Sequence, residues 1–155
     1  MKIVKKKAYR AVGLKWSGSW SEITELQDVI KRVRERSREI IHVAEQGVQL
    51  ALSYHTRPDG FIHFSGYEVS AEQEIPAGMT EFFVPELTYV VTTHIGGNIT
   101  ETYKTIARWI KDNGFTPYKE PNITYFDLLP IKHEKYLFEG GKQHPHYEIW
   151  IPIER

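Results

Sequence analysis

The chain contains no cysteine. Without a thiol there is no disulfide framework, no thiolate nucleophile and no thiolate metal site. An excess of one charge is also lacking, because Lys plus Arg and Asp plus Glu are 20 each and the formal net charge is zero. A chain balanced in this way has no global attraction to nucleic acid or to an anionic membrane, and the run Lys5, Lys6, Lys7 reads as a solvated strand start. Long hydrophobic runs are missing too. No stretch approaches the roughly 20 apolar residues of a membrane span, and the N-terminus has no apolar signal core, so a cytoplasmic location is the expectation. What is present is 155 residues, 41% of them hydrophobic, which is enough for one globular core and short for two.

The stretch AYRAVGL has strand character, and Ser19 with Glu22 three residues later makes a capping-box signature for a following helix. Leu26, Ile30, Val33 and Ser37 fall on one face of that helix, with KRVRERSRE supplying the wet face. Two strands follow, VQLALSYHT and FIHFSGYEVS, joined through Pro58, Asp59 and Gly60. The result is a β-α-β-β unit.

The second half repeats this order. Tyr9 and Tyr89, Ile23 and Tyr103, Leu26 and Ile106, Ile30 and Ile110, and the YEV at Tyr67 with the YEI at Tyr147, are each 80 positions apart. The spacing predicts an α+β fold in one domain. Its duplicated β-α-β-β units, pseudo-repeats at about 1–75 and 80–155, form an antiparallel-rich sheet with both helices on one face. Between the second unit's first strand and its helix stands HIGGNITET. It has neither the third glycine of a dinucleotide fingerprint nor the lysine of a phosphate loop. Gly96 and Gly97 therefore read as a tight corner, with Asn98 capping the helix and Glu101 reaching back.

Three motifs in order, GYEVSAEQEIPAGM, YVVTTHIGGNITETYKTIARWI and the closing YEIWIPIE, resemble the GyrI-like small-molecule-binding domains. That family includes the effector-binding half of AraC- and MerR-type multidrug regulators and the DNA gyrase inhibitor protein. The resemblance spans essentially the whole chain and implies a ligand groove between the two helices, over the sheet. One departure stands out: where many members show Glu-x-Tyr after the second helix, this chain has YFDLL, with Asp127 and Leu129. No helix-turn-helix signature precedes the domain, so direct nucleic-acid binding is not expected.

Read without the resemblance, the last strand places His146, Glu148 and Trp150 on one face and Tyr147, Ile149 and Ile151 on the other. A carboxylate beside aromatic rings suits a lipophilic cation, although a plain solvated face is the commoner fate of such residues; the resemblance favours the groove. Glu68 holds the same place in the first unit, Trp109 flanks the second helix, and Trp16 and Trp20 mark the corner before the first. The candidate ligand set is Trp16, Trp20, Tyr67, Glu68, Trp109, Glu148 and Trp150. Of the seven histidines, His144 and His146 have no third ligand near them, so no metal or cofactor is expected.

Three functional readings follow. The leading one is a stand-alone binding protein for small, mostly apolar molecules, cations among them, in drug or effector sensing or sequestration. The second is a hydrolase of reactive electrophiles such as cyclopropane compounds, an activity the resemblance brings in, with Glu68 and Glu148 as acid and base. The third is a gyrase-inhibitor-like interaction module whose partner is a protein such as DNA gyrase or a regulator.

Overall fold

Alternating side chains on long strands give this chain its architecture, and the computed structural model describes residues 1–155. The strands are β1 (Lys2–Lys6), β2 (Tyr9–Ser19), β3 (Val48–Arg57), β4 (Gly60–Val69), β5 (Thr80–Val84) and β6 (Leu87–Ile95), then β7 (Thr116–Pro117), β8 (Ile131–Glu139), β9 (Lys142–Gln143) and β10 (His146–Glu154). Helix α1 (Ile23–Glu35) follows β2, and α2 (Ile99–Asp112) follows β6. All pairings are antiparallel, and the main sheet runs β1-β6-β10-β8-β3-β4-β2-β5. Read from either edge, the order is a short edge strand, the strand that enters a helix, then a hairpin pair. The two halves meet at β8 and β3.

One row of register partners crosses the sheet from Thr92 through Ile149, Glu134, Ala51 and Ser65 to Leu14. Both helices lie over the face this row occupies. On one half, Leu26 and Val29 of α1 cluster with Trp16 and Phe61, and Val33 clusters with Val12 and Tyr67. On the other, Ile106 and Ile110 of α2 cluster with Val90, Ile149 and Ile151. The opposite face is also buried. Phe82 of β5 stacks on Phe64 at 5.1 Å, and Lys6 of edge strand β1 reaches Glu68 of β4 at 3.0 Å. Strands so far apart in the order touch only if the sheet curls toward that face, as strand twist favours.

Several sequence expectations are corrected here. The constant spacing of 80 does not hold, since the helices start at Ile23 and Ile99. Val12 faces Tyr67, while Tyr147 faces His94 and not Thr92. Lys5 and Lys6 belong to an edge strand of their own that pairs with β6 from the other half, and β5, which pairs with β2, was not foreseen. The buried stripe of α1 is Leu26, Val29 and Val33; Ile30 is half-buried, and Ser37 lies beyond the helix in a short 3-10 turn. The Ser19–Glu22 capping box forms and opens a 3-10 turn that leads into α1. At α2 the Asn98 side chain accepts from the Thr100 amide at 2.9 Å, while Glu101 turns to Lys104 at 3.6 Å. Gly96 and Gly97 have φ of 65° and 75°, a left-handed corner that glycine makes without strain.

Candidate ligand-binding groove

A groove of about 510 Å³ opens between α1 and the centre of the sheet. Its wall is the face of α1 carrying Leu26, Gln27, Ile30 and Arg34, and its floor comes from alternate residues of three strands. These are Gln49, Ala51 and Ser53 of β3, Phe61, His63 and Ser65 of β4, and Glu134, Tyr136 and Phe138 of β8. Period-2 alternation puts all of them on the helix face.

Glu134 is the one carboxylate in this lining. The Tyr103 hydroxyl of α2 donates to its Oε2 at 2.6 Å, and the Tyr136 hydroxyl donates to its Oε1 at 2.8 Å. Tyr147, outside the lining, packs its ring 4.5 Å from that of Tyr136. Burial, and next the negative charge of Glu134, push the Tyr103 and Tyr136 phenols up, and the same causes raise Tyr147 to about 12. The phenols therefore stay protonated and able to donate. Such an acidic group, ringed by aromatic faces at the middle of the sheet, can act as a counter-charge. Arg34 stands at the rim over the Phe138 ring at 5.1 Å.

The residues singled out from sequence are dispersed. Glu68, Glu148 and Trp150 lie on the face away from the helices, in register with Ala11, Thr93 and His133. Glu68 pairs with Lys6. Glu148 accepts from the Trp150 indole at 3.0 Å, and the cation over that indole is the protein's own Lys135 at 4.2 Å. Strands β8 and β3 lie between the two glutamates in the sheet order, and each carboxylate is engaged by a different neighbour, Glu68 by Lys6 and Glu148 by the Trp150 indole. Trp109 sits on the outer flank of α2, stacked on Phe115 at 6.1 Å. Trp16 is buried under α1 with its indole 3.4 Å from Glu25, and Tyr67 is buried with Val33. Trp20 is 56% exposed, and its ring lies 4.9 Å from Phe61, a groove residue. His144 and His146 are exposed and contact each other. The Glu-x-Tyr spacing sought at 127–129 stands instead at Glu134 and Tyr136. That signal was in the sequence, one strand further along. Asp127 serves as a partner of Lys132 at 3.4 Å, and Leu129 joins the α2 core.

A curled antiparallel sheet carrying two helices on one face, with a carboxylate-bearing groove between α1 and the sheet centre, defines the class of fold. The chain belongs to the integron-associated effector binding protein family, whose model matches residues 2–153. No protein of curated function matches the chain in sequence. Among solved structures, SAV2435 bound to tetraphenylphosphonium is similar at a TM-score of 0.67 and 11% identity, covering 99% of this chain and 93% of that one. An integron cassette protein from Vibrio cholerae gives 0.52 and 12%, covering 99% and 95%. A hydrolase encoded by lin2189 from Listeria innocua gives 0.57 and 8%, covering 99% and 91%. At these identities the likeness is one of fold. No helix is long and apolar enough to cross a membrane.

Proposed function

We propose that the groove binds small lipophilic cations, with Glu134 as the counter-charge, and that the protein senses or sequesters them. The observation that carries this reading is the Glu134 carboxylate held by Tyr103 and Tyr136 in the groove floor. A cation entering there gains charge pairing with Glu134 and the faces of Tyr136 and Phe138, while its hydrocarbon is covered by Leu26 and Ile30. Membership of an effector-binding family supports the reading. So does the neighbour SAV2435, whose ligand, tetraphenylphosphonium, is a lipophilic cation.

The test is thermal unfolding with three matched compounds: tetraphenylphosphonium, neutral triphenylphosphine oxide and anionic tetraphenylborate. A ligand that binds only the folded state at a hundredfold its Kd adds about 2.7 kcal/mol, which for a chain of this size raises Tm by roughly 5–10 °C. The cation is expected to give the largest rise. A larger rise with the anion contradicts the proposal.

A further inference from the structure

We propose that the α1 side of the same groove is a hydrogen-bonding seat, so that the cations it takes carry a neutral N–H or O–H donor as well as their charge. The inference rests on the cation reading and adds a second requirement to it. Gln49 is 2% exposed, and its side-chain nitrogen donates to the Ile30 carbonyl at 3.1 Å and to Ser65 Oγ at 2.9 Å. The Ile30 carbonyl can only accept, so the nitrogen end of the amide is fixed toward it and the oxygen end is the one left over. That oxygen, Gln49 Oε1, is buried and has no partner.

His63 stands in the same condition. It is 3% exposed, its Nδ1 lies 2.9 Å from Ser53 Oγ, and its Nε2 is buried without a partner. Burial lowers its pKa to about 4, so near neutral pH the ring offers one N–H and one lone pair. The Ser53 hydroxyl can donate to Nδ1 or accept from it, which lets Nε2 answer a ligand in either sense.

Buried polar groups almost always find partners, because each one left alone forfeits its hydration. Four buried side-chain atoms lack one: Gln49 Oε1, His63 Nε2, His55 Nε2 and Tyr89 Oη. Only Gln49 and His63 line the groove. Two such atoms, on residues that line one groove, point to a partner that arrives with the ligand. The class that satisfies both these atoms and Glu134 is a protonated amine, amidinium or aryl cation that also bears an amide, amino or hydroxyl group. A cation clothed only in hydrocarbon answers Glu134 and leaves Gln49 Oε1 alone.

The experiment is calorimetric titration of tetraphenylphosphonium and of its analogue with one para-carboxamide ring into wild type, Gln49→Met and Ser65→Ala. Wild type, which needs no variant to be informative, is expected to bind the carboxamide cation about tenfold more tightly, the gain of one good hydrogen bond. Gln49→Met should bring the two cations within about twofold of each other, and Ser65→Ala, which removes one of the amide's two anchors, should narrow the gap. Equal binding of the two cations to wild type, or a gap that survives in Gln49→Met, overturns the seat and leaves the cation reading standing. Binding of neither cation overturns both.

Discussion

The Tyr103 hydroxyl donates to Glu134 Oε2 at 2.6 Å, tying helix α2 to the central floor strand β8. A phenol bonded to a carboxylate makes a short, charge-assisted contact, and Tyr103→Phe removes it without changing the ring. The expected loss is about 1–2 kcal/mol in urea unfolding. A loss under about 0.3 kcal/mol would show that the helix is held by its apolar face alone.

Arg34 shares the groove with Glu134, and its charge opposes that of an incoming cation. Standing at the rim, it acts partly through solvent. Arg34→Ala should tighten tetraphenylphosphonium binding by about 0.5–1 kcal/mol at low salt, and the gain should shrink at 0.5 M salt as screening shortens. Weaker binding by the variant would mean that the arginine's stacking on Phe138 shapes the site more than its charge does.

Three buried imidazoles set the pH dependence of stability. Burial lowers His55 to about 4, His63 to about 4 and His133 to about 3, with Lys132 adding to the effect at His55 and Lys135 at His133. In the unfolded chain they titrate near 6.5. Between the two values the unfolded state holds the extra protons. Stability is therefore full above about pH 6.5 and falls as the pH drops toward about 4, at up to about 1.4 kcal/mol per pH unit for each imidazole. Urea unfolding at pH 7, 6 and 5 should show the decline, and His63→Phe should reduce its slope by one proton. A flat profile over that range contradicts the burial of these rings.

The fold was readable because its evidence is local. Ser19 with Glu22, Asn98, the paired glycines and the alternating strands each state a boundary or a face without reference to the rest of the chain. The edge strands were not readable: β1 and β5 are short and half-exposed, and each pairs with the opposite half. The groove beside α1 was not readable for a different reason. Alternation separates Glu148 and Trp150 from Tyr147 and Ile149 correctly, but it does not say which face the helices cover. Where one face meets water, apolar character decides that question. Here the helices bury one face and the curl of the sheet buries the other, so Leu52 and Phe64 on one side are as buried as Ile149 and Ile151 on the other. Glu134 then passes for an ordinary strand glutamate between His133 and Lys135. The role proposed for it depends on Tyr103, 31 positions away.

The affinity of tetraphenylphosphonium for two variants decides whether the ligand's counter-charge is Glu134 in the groove, as proposed, or Glu148 on the far face. Glu134→Gln keeps the shape of the floor and removes its charge, and it should weaken binding by about 2 kcal/mol, roughly thirtyfold. Glu148→Gln, on the opposite face and hydrogen-bonded to the Trp150 indole, should leave the affinity within about twofold of wild type. Loss of affinity in Glu148→Gln with Glu134→Gln unaffected would place the site on the concave face and contradict the account.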